Sequence, residues 1–305
     1  MADVGSSQHR IESYIDPAGR TFNYVPVRHG APDLAVHFSA FFGEWGDAKP
    51  YRDTFQGYYH RLKMLGGEQG HDWLFACDQY GEESNGTYYT GEKGDFFVER
   101  AMLALLHETM ADWACPPERV VLLGSSMGAT AALKFGLMLG VRGIIAISPH
   151  IDLDVCAAKQ NRERHVAFIV PDGDTQAPHN FRYTRQIRAI LETWDQPNPP
   201  PPLFIQSCAD DLGVHDEQVV PLVDTWRSKG GAVFHDVRPI GGHTSDWATK
   251  PLLLDAIDEL QAGRPIDVAR YQTDAVFAGA ITKEPLSHRL RRRASLTRNR
   301  LLRRG

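Results

Sequence analysis

The chain has 305 residues, of which 42% are hydrophobic and 23% charged, as is usual for a globular protein with one large core. No segment reaches the roughly 18 consecutive apolar residues of a membrane-spanning helix, and the first residues do not resemble a signal peptide. The four cysteines lack the spacing of zinc sites and of disulfide frameworks. This fits a reducing cytoplasm and argues against a zinc site. Because the sequence has no Walker motif, no GxGxxG after the first strand and no HExxH, we expect no metal and no other cofactor, unless an acyl thioester serves as the acyl donor.

Charge is distributed unevenly along the chain. The stretch from Lys283 to Gly305 carries nine basic residues and one acid, a charge of +8, whereas the whole chain carries −5. The rest of the chain is therefore at −13, so an acidic body and a basic tail need separate explanations, and we expect no nucleic-acid partner. Leucines interspersed among the arginines predict either an amphipathic helix for an anionic membrane surface or an acidic protein partner, or a solvated disordered tail.

The first half of the chain alternates short apolar runs with helical patterns. The predicted strands are 10–16 and 21–27, which form a hairpin around Pro17-Ala18-Gly19, followed by 34–38, 73–77, 120–123 and 143–147. The predicted helices are 51–65, 96–113 and 129–139.

The second half continues the alternation. It predicts strands at 166–170, 203–207 and 232–237, and helices at 180–194, 216–229 and 251–260. Such alternation is typical of an α/β fold with a mostly parallel sheet covered on both faces. We assign 1–263 to this domain, with 149–201 as a candidate insert or cap, and 264–305 to a basic appendage.

Gly124-Ser125-Ser126-Met127-Gly128 matches the GxSxG pattern, and it stands between a predicted strand and a predicted helix. A serine on such a tight turn takes strained backbone angles, so the residues two positions away must be small. The turn exposes the hydroxyl close to a helix N-terminus, where the helix dipole favours a developing oxyanion. The motif predicts Ser126 as a nucleophile, with Ser125 as the alternative, and the Met127 N–H as an oxyanion donor.

A serine nucleophile needs a base, and the base needs a carboxylate that orients it. His243 follows two glycines in the loop after the last strong strand, so it is the favoured base over His150 and His215. The acid candidates, which also follow strands, are Asp210, Asp211, Asp172 and Asp174. Open α/β sheets place their sites at this edge.

The order of elbow serine, acid and histidine resembles that of the α/β-hydrolase superfamily over about Phe22 to Leu260. The resemblance implies Asp210 as the acid, because Ser207-Cys208-Ala209-Asp210 is similar to the Gly-x-x-Asp spacing of that superfamily. It also implies a second oxyanion donor in the loop after Phe38, from the backbone N–H of Ala40 or Phe41.

Three segments resemble a narrower group, the bacterial hydrolase-like proteins of capsule biosynthesis and accessory secretion, some of which act on sugar O-acyl groups. These segments are Phe38-Ser39-Ala40-Phe41, Asp78-Gln79-Tyr80-Gly81 and Asn85-Gly86-Thr87-Tyr88-Tyr89. Aromatic side chains near the expected site predict either loop packing or a platform for a sugar ring or acyl group. They are Phe41, Phe42, Trp45, Tyr88, Tyr89 and Trp247.

Two functions fit these residues. The first is a serine esterase, thioesterase, deacylase or acyltransferase acting on a small ester or an acylated glycan. The second is a non-catalytic hydrolase-like subunit that binds a glycan or a protein partner. A complete serine–histidine–acid set favours the enzyme, because a scaffold does not need all three groups.

Overall fold

The computed structural model describes residues 9–41 and 59–277, which form an eight-stranded sheet with helices on both faces. The strand order is β1-β2-β4-β3-β5-β6-β7-β8. The pairs β1–β2 and β2–β4 are antiparallel, and the others are parallel. The strands are β1 Glu12–Ile15, β2 Thr21–Val27, β3 Leu34–Phe38, β4 Asp72–Ala76, β5 Val120–Ser125, β6 Gly143–Ile147, β7 Leu203–Cys208 and β8 Val233–Arg238.

The predicted α/β architecture is confirmed. The predicted helices 96–113, 129–139, 216–229 and 251–260 each coincide with a helix of the structure, whereas residues 51–58 of the predicted helix 51–65 lie outside the described residues. The helices are α1 Leu62–Leu65, α2 Phe97–Asp112, α3 Met127–Leu139, α4 Leu153–Lys159, α5 Glu163–Ala167, α6 Phe181–Thr184, α7 Gln186–Glu192, α8 Val220–Ser228, α9 Lys250–Ala262 and α10 Val268–Thr273. A π-helical turn, His215–Val219, leads into α8.

The central strands are apolar throughout because both faces of the sheet are covered. In β5, Leu122 packs into the core formed with α2, α3 and α8, whereas Val121 and Leu123 pack into the core on the opposite face, against α9 and α10. This alternation follows from the opposite directions of successive side chains in a strand. The sheet therefore holds the carboxyl ends of β5, β6 and β7 side by side at one edge.

Two predicted elements between β6 and β8 are wrong. The apolar run 166–170, predicted as a strand, forms the end of α5 and the turn after it. Val166, Ile169 and Val170 are buried in the core there. A short apolar run can be buried at the end of a helix as well as in a strand, so the pattern alone did not distinguish the two. The predicted helix 180–194 is interrupted at Arg185, which separates α6 from α7.

The segment 149–201 packs against the same core as the sheet, through residues such as Leu153, Ile187 and Leu191. The first part of the predicted appendage also packs on the sheet, since Ile266, Tyr271 and Phe277 are buried with α9. Phe42, Trp45 and the basic stretch 283–305 lie outside the described residues. Within residues 9–41 and 59–277, no helix has the length and apolar character needed to cross a membrane.

Candidate functional site

Ser126 lies on the turn between β5 and α3, as predicted. Its backbone has a φ of 52° and a ψ of −120°, a conformation that L-residues rarely adopt. A Cβ on Gly124 would lie 2.3 Å from the backbone of Gly128, so only glycine fits on that side of the turn. The N–H of Ser126 donates to the carbonyl of Ile147, which ties the turn to β6. The sheet thus holds the Ser126 hydroxyl at its carboxyl edge, partly exposed.

The loop after β3 lies directly against the first turn of α3. A Cβ on Gly128 would lie 2.2 Å from the carbonyl oxygen of Phe38 and 3.0 Å from that of Ser39. This close approach holds the end of β3, which continues into Ala40 and Phe41, against the start of α3. The first N–H groups of a helix have no partner within the helix, so Met127 can donate to a developing negative charge.

His243 lies within hydrogen-bonding distance of Ser126, with its Nε2 2.8 Å from the serine Oγ. Three contacts hold the loop that carries His243. The Asp210 carboxylate accepts from the N–H groups of Gly241 and Gly242, at 3.1 and 2.6 Å. The Ser148 hydroxyl donates to the carbonyl of Thr244 at 2.7 Å. The predicted base is therefore brought to the predicted nucleophile.

The carboxylate that faces His243 belongs to Asp211, and the expectation of Asp210 is corrected. The Nδ1–H of His243 donates to Asp211 Oδ2 at 2.9 Å, and the Asp211 side chain is only 2% exposed. β7 extends to Cys208, and the N–H of Asp211 donates to the Cys208 carbonyl, which closes a tight turn. The turn directs Asp211 inward and leaves Asp210 exposed at its corner.

Gln160, at the end of α4, is a partner of this carboxylate that the sequence did not reveal. Its Nε2 donates to Asp211 Oδ1 at 3.2 Å and also to the carbonyl of Leu212. Asp211 thus has a donor on each oxygen, which fixes its orientation toward His243. No sequence pattern marks Gln160, because it reaches Asp211 only through the packing of α4 beside the end of β7.

His150, an alternative base in the sequence, stacks on His243 instead of contacting Ser126. The two rings are nearly parallel, 4.3 Å apart at their centroids with an interplanar angle of 10°. The hydroxyl of Tyr88 donates to His150 Nδ1 at 3.1 Å. Burial, with the nearby charges of His243 and Arg162, holds the pKa of His150 well below its usual 6.5. His150 is therefore a neutral ring that supports one face of the His243 imidazole.

The turn that carries Tyr88 is organised by a buried carboxylate. Asp78 accepts from the N–H groups of Thr87 and Tyr89, at 2.6 and 2.8 Å, and from the Thr87 hydroxyl. Burial raises the pKa of Asp78, whereas these hydrogen-bond donors lower it, and burial is the larger effect. Two of the three segments that resemble the narrower bacterial group therefore meet, and their contacts position Tyr88 behind His150.

The remaining candidates lie apart from the Ser126–His243 pair or pack within loops. Asp172 pairs with His179, and Asp174 caps the turn at Gln176. His215 contacts the Ser207 hydroxyl at 2.9 Å.

The Ser125 hydroxyl is buried and accepts from Arg61 at 2.5 Å. The Trp247 indole donates to the carbonyl of Ile240, and its ring lies under Arg238.

Ser126, His243 and Asp211 form a continuous hydrogen-bonded chain at the edge of the sheet. Such a chain can take a proton from the serine hydroxyl and stabilise the imidazolium that forms. The backbone N–H groups beside Ser126 can hold the oxyanion of an attacked carbonyl. The arrangement is suited to acyl transfer through a serine.

No protein-family model and no curated protein sequence matches the chain. Solved structures resemble it at low sequence identity. The capsule O-acetyltransferase of Neisseria meningitidis serogroup A is 18% identical with a TM-score of 0.59, over 85% of this chain and 96% of that one. The Staphylococcus aureus fluorophosphonate-binding serine hydrolase FphF is 13% identical with a TM-score of 0.59, over 84% and 99%.

A third similar structure is the Glycosylation Associate Protein (Gap123) complex from Streptococcus agalactiae. It is 18% identical with a TM-score of 0.58, over 88% of this chain but only 47% of that one. This chain therefore spans about half the length of that protein. The sheet order, the serine turn and these structural neighbours lead to one conclusion: the chain has the α/β-hydrolase fold.

Proposed function

We propose that the protein is a serine esterase or acyltransferase that works through an acyl-enzyme on Ser126. The observation that carries the proposal is the hydrogen-bonded chain from Ser126 Oγ through both nitrogens of His243 to Asp211. A structural role would need only some of these contacts. The complete chain, with a strained serine at a helix N-terminus, is the arrangement that activates a hydroxyl.

In the first half-reaction, Ser126 Oγ attacks the carbonyl carbon of the ester while its proton passes to His243 Nε2. The imidazolium is stabilised by the Asp211 carboxylate. The negative charge on the carbonyl oxygen is held by the N–H of Met127 and by that of Ala40 or Phe41. The intermediate then collapses, and the leaving alcohol takes the proton from Nε2, which leaves an ester on Ser126.

The second half-reaction reverses these steps with a new acceptor. His243 Nε2 takes the proton of the acceptor hydroxyl, whose oxygen attacks the acyl-Ser126 carbonyl. Collapse of the intermediate returns the proton to Ser126 and releases the acylated acceptor. Water as acceptor gives hydrolysis, and a sugar hydroxyl gives O-acylation.

The substrate class that we propose is a small ester or an O-acylated glycan. Its support is the likeness of the fold to the capsule O-acetyltransferase, and the segments around Asp78 and Thr87 that resemble the same bacterial group. The likeness to the Gap123 complex is the one observation that favours the second candidate, a hydrolase-like subunit without catalysis. The intact Ser126–His243–Asp211 chain favours the enzyme.

Turnover of p-nitrophenyl esters of increasing acyl length distinguishes the two functions. We expect Ser126→Ala to fold normally and to lose essentially all turnover, because the acyl group has no oxygen to bond to. Ser125→Ala serves as the control, since its hydroxyl is buried against Arg61 and cannot reach a substrate. Equal losses in both variants, or a loss in Ser125→Ala alone, would overturn the assignment.

A further inference from the structure

Arg162 is a half-buried cation beside the candidate site. Its guanidinium carbon lies 4.5 Å from the centroid of the Phe41 ring, and the His165 ring lies 4.4 Å from the same ring on its edge. Among the described residues, no carboxylate pairs with Arg162. The other arginines of the segment 149–201 each have a polar partner: Arg164 with Glu82, Arg182 with the Tyr183 hydroxyl, Arg185 with Asp154 and Arg188 with Asp152.

The position of Arg162 relates it to the reacting groups. Phe41, on which it stacks, belongs to the loop whose backbone lies against the first turn of α3. The positive charge of Arg162 also contributes to the low pKa of His150, the ring that stacks on His243. The guanidinium is therefore stacked on a ring of the candidate oxyanion loop, and its charge acts on the ring that supports the candidate base.

A half-buried guanidinium that has no counter-ion within residues 9–41 and 59–277 has lost hydration that a ring face only partly replaces. Its planar fork of donors fits a carboxylate or phosphate in two parallel hydrogen bonds. A second polar group nearby also lacks a partner. The Nε2 atom of His150 is buried, has no hydrogen-bond partner in the described structure, and must carry the ring's proton when Nδ1 accepts from Tyr88.

We propose that Arg162 binds an anionic group of the substrate, so that the site prefers esters that carry a negative charge near the reacting carbonyl. This inference rests on the proposed ester chemistry and adds the substrate class to it. The anionic group can belong to the acyl part of the ester or to its alcohol part. Arg162 acts as a specificity residue and takes no part in proton transfer.

Two matched pairs of esters test the proposal and separate the two sources of the charge. The mono-p-nitrophenyl ester of adipic acid is compared with p-nitrophenyl hexanoate, for a charge on the acyl side. The acetyl ester of p-hydroxybenzoate is compared with the acetyl ester of its methyl ester, for a charge on the alcohol side. The variants are Arg162→Gln and Arg162→Lys, with Arg164→Gln as the control, since that neighbour already pairs with Glu82.

We expect Arg162→Gln to lower kcat/KM about 10- to 100-fold for the charged member of one pair, as for a lost charge-assisted hydrogen bond. Turnover of the neutral member should change by less than about twofold, and Arg162→Lys should recover part of the loss. The pair that responds identifies the side that carries the charge. Equal losses on charged and neutral esters, or no loss on either charged ester, would refute the proposal.

A binding measurement separates failure of this inference from failure of the proposed function. Titration calorimetry with adipate and with p-hydroxybenzoate needs no turnover. We expect one of these anions to bind the wild type and Arg164→Gln, with affinity reduced about tenfold or more in Arg162→Gln. Absence of turnover in the wild type would count against the esterase alone, whereas binding that is equal in all three proteins, or absent from all, would exclude the anion site.

Discussion

The two neighbouring carboxylates after β7 have different tasks. Asp211 contacts the imidazole of His243 and is buried, whereas Asp210 holds the N–H groups of Gly241 and Gly242 at the surface. One carboxylate thus orients the ring, and the other orients the loop that carries the ring. A one-residue difference in chain position separates the two functions because the turn after Cys208 points successive side chains in opposite directions.

We predict that Asp211→Asn lowers kcat by about 10⁴-fold, as the corresponding change does in a serine protease, because the amide favours the wrong imidazole tautomer. Asp210→Asn should lower it by at most about tenfold, since it weakens one loop hydrogen bond worth about 1 kcal/mol. Both kcat values are measured on the best p-nitrophenyl ester, with circular dichroism to confirm folding. A large loss in Asp210→Asn with little loss in Asp211→Asn would contradict the geometry.

The sequence singled out Ser126 and His243, which the structure brings into contact, but it favoured the carboxylate one residue before the one that faces His243. Ser126 and His243 stand in local patterns, the GxSxG turn and the double glycine, whose physical meaning is contained in the neighbouring residues. The direction of Asp210 and Asp211 depends on where β7 ends, and the apolar pattern ended one residue early at Ser207. Gln160 and His150 reach the site through tertiary packing alone, which no local pattern records.

At the scale of elements, the start of α3 lies tightly against the end of β3. A helix residue changed from glycine to alanine usually gains up to about 1 kcal/mol of stability. Gly128 should be an exception, because its added Cβ would meet the backbone oxygen of Phe38, which cannot move without distorting the sheet. The close contact also fixes the loop that would supply the proposed second oxyanion donor.

We therefore predict that Gly128→Ala destabilises the fold by about 1–3 kcal/mol, the usual cost of overpacking, and lowers kcat as the loop moves away. Gly70→Ala is the control, because a Cβ there meets no atom within 4 Å. Urea unfolding gives the stabilities, and ester turnover of the folded protein gives kcat. A Gly128→Ala variant that is as stable and as active as the control would show that the contact is loose.

Sequence-based prediction of the elements succeeded where burial was uniform. The central strands are buried on both faces, so their apolar runs are unambiguous between polar turns. It failed in the segment between β6 and β7. The helices there are only four to seven residues long, and the apolar run 166–170 is buried at the end of α5 and in the turn after it. Short apolar runs carry no periodicity long enough to separate the two structures.

At the scale of the whole molecule, several buried histidines make stability depend on pH. His37 lies inside the sheet, fully buried, and neither ring nitrogen has a hydrogen-bond partner in the described structure. Burial, with the charges of His60 and Arg61, holds its pKa well below 6.5. The unfolded chain binds a proton near pH 6.5 and the native state does not, so stability is lost as pH falls below that value.

We predict that His37→Leu is at least as stable as the wild type at pH 8, since it removes a buried polar ring without partners. Its advantage should be larger at pH 5 by about 2 kcal/mol, because each pH unit below 6.5 costs the wild type about 1.4 kcal/mol at this site. Urea unfolding at the two pH values measures the difference, with the exposed His107→Leu as control. An advantage that does not change with pH would show that His37 is protonated in the native state.

At the scale of the whole molecule, the proposed activity depends on Ser126 forming a covalent bond with the acyl group. The direct measurement is reaction with a fluorophosphonate, followed by mass spectrometry of the digested protein. We expect one phosphonyl group on the peptide that contains Ser126, with none in Ser126→Ala and a labelling rate reduced by orders of magnitude in His243→Gln. Absence of an adduct on the wild-type protein, or an adduct on another serine, would contradict the proposed role of Ser126 as the nucleophile.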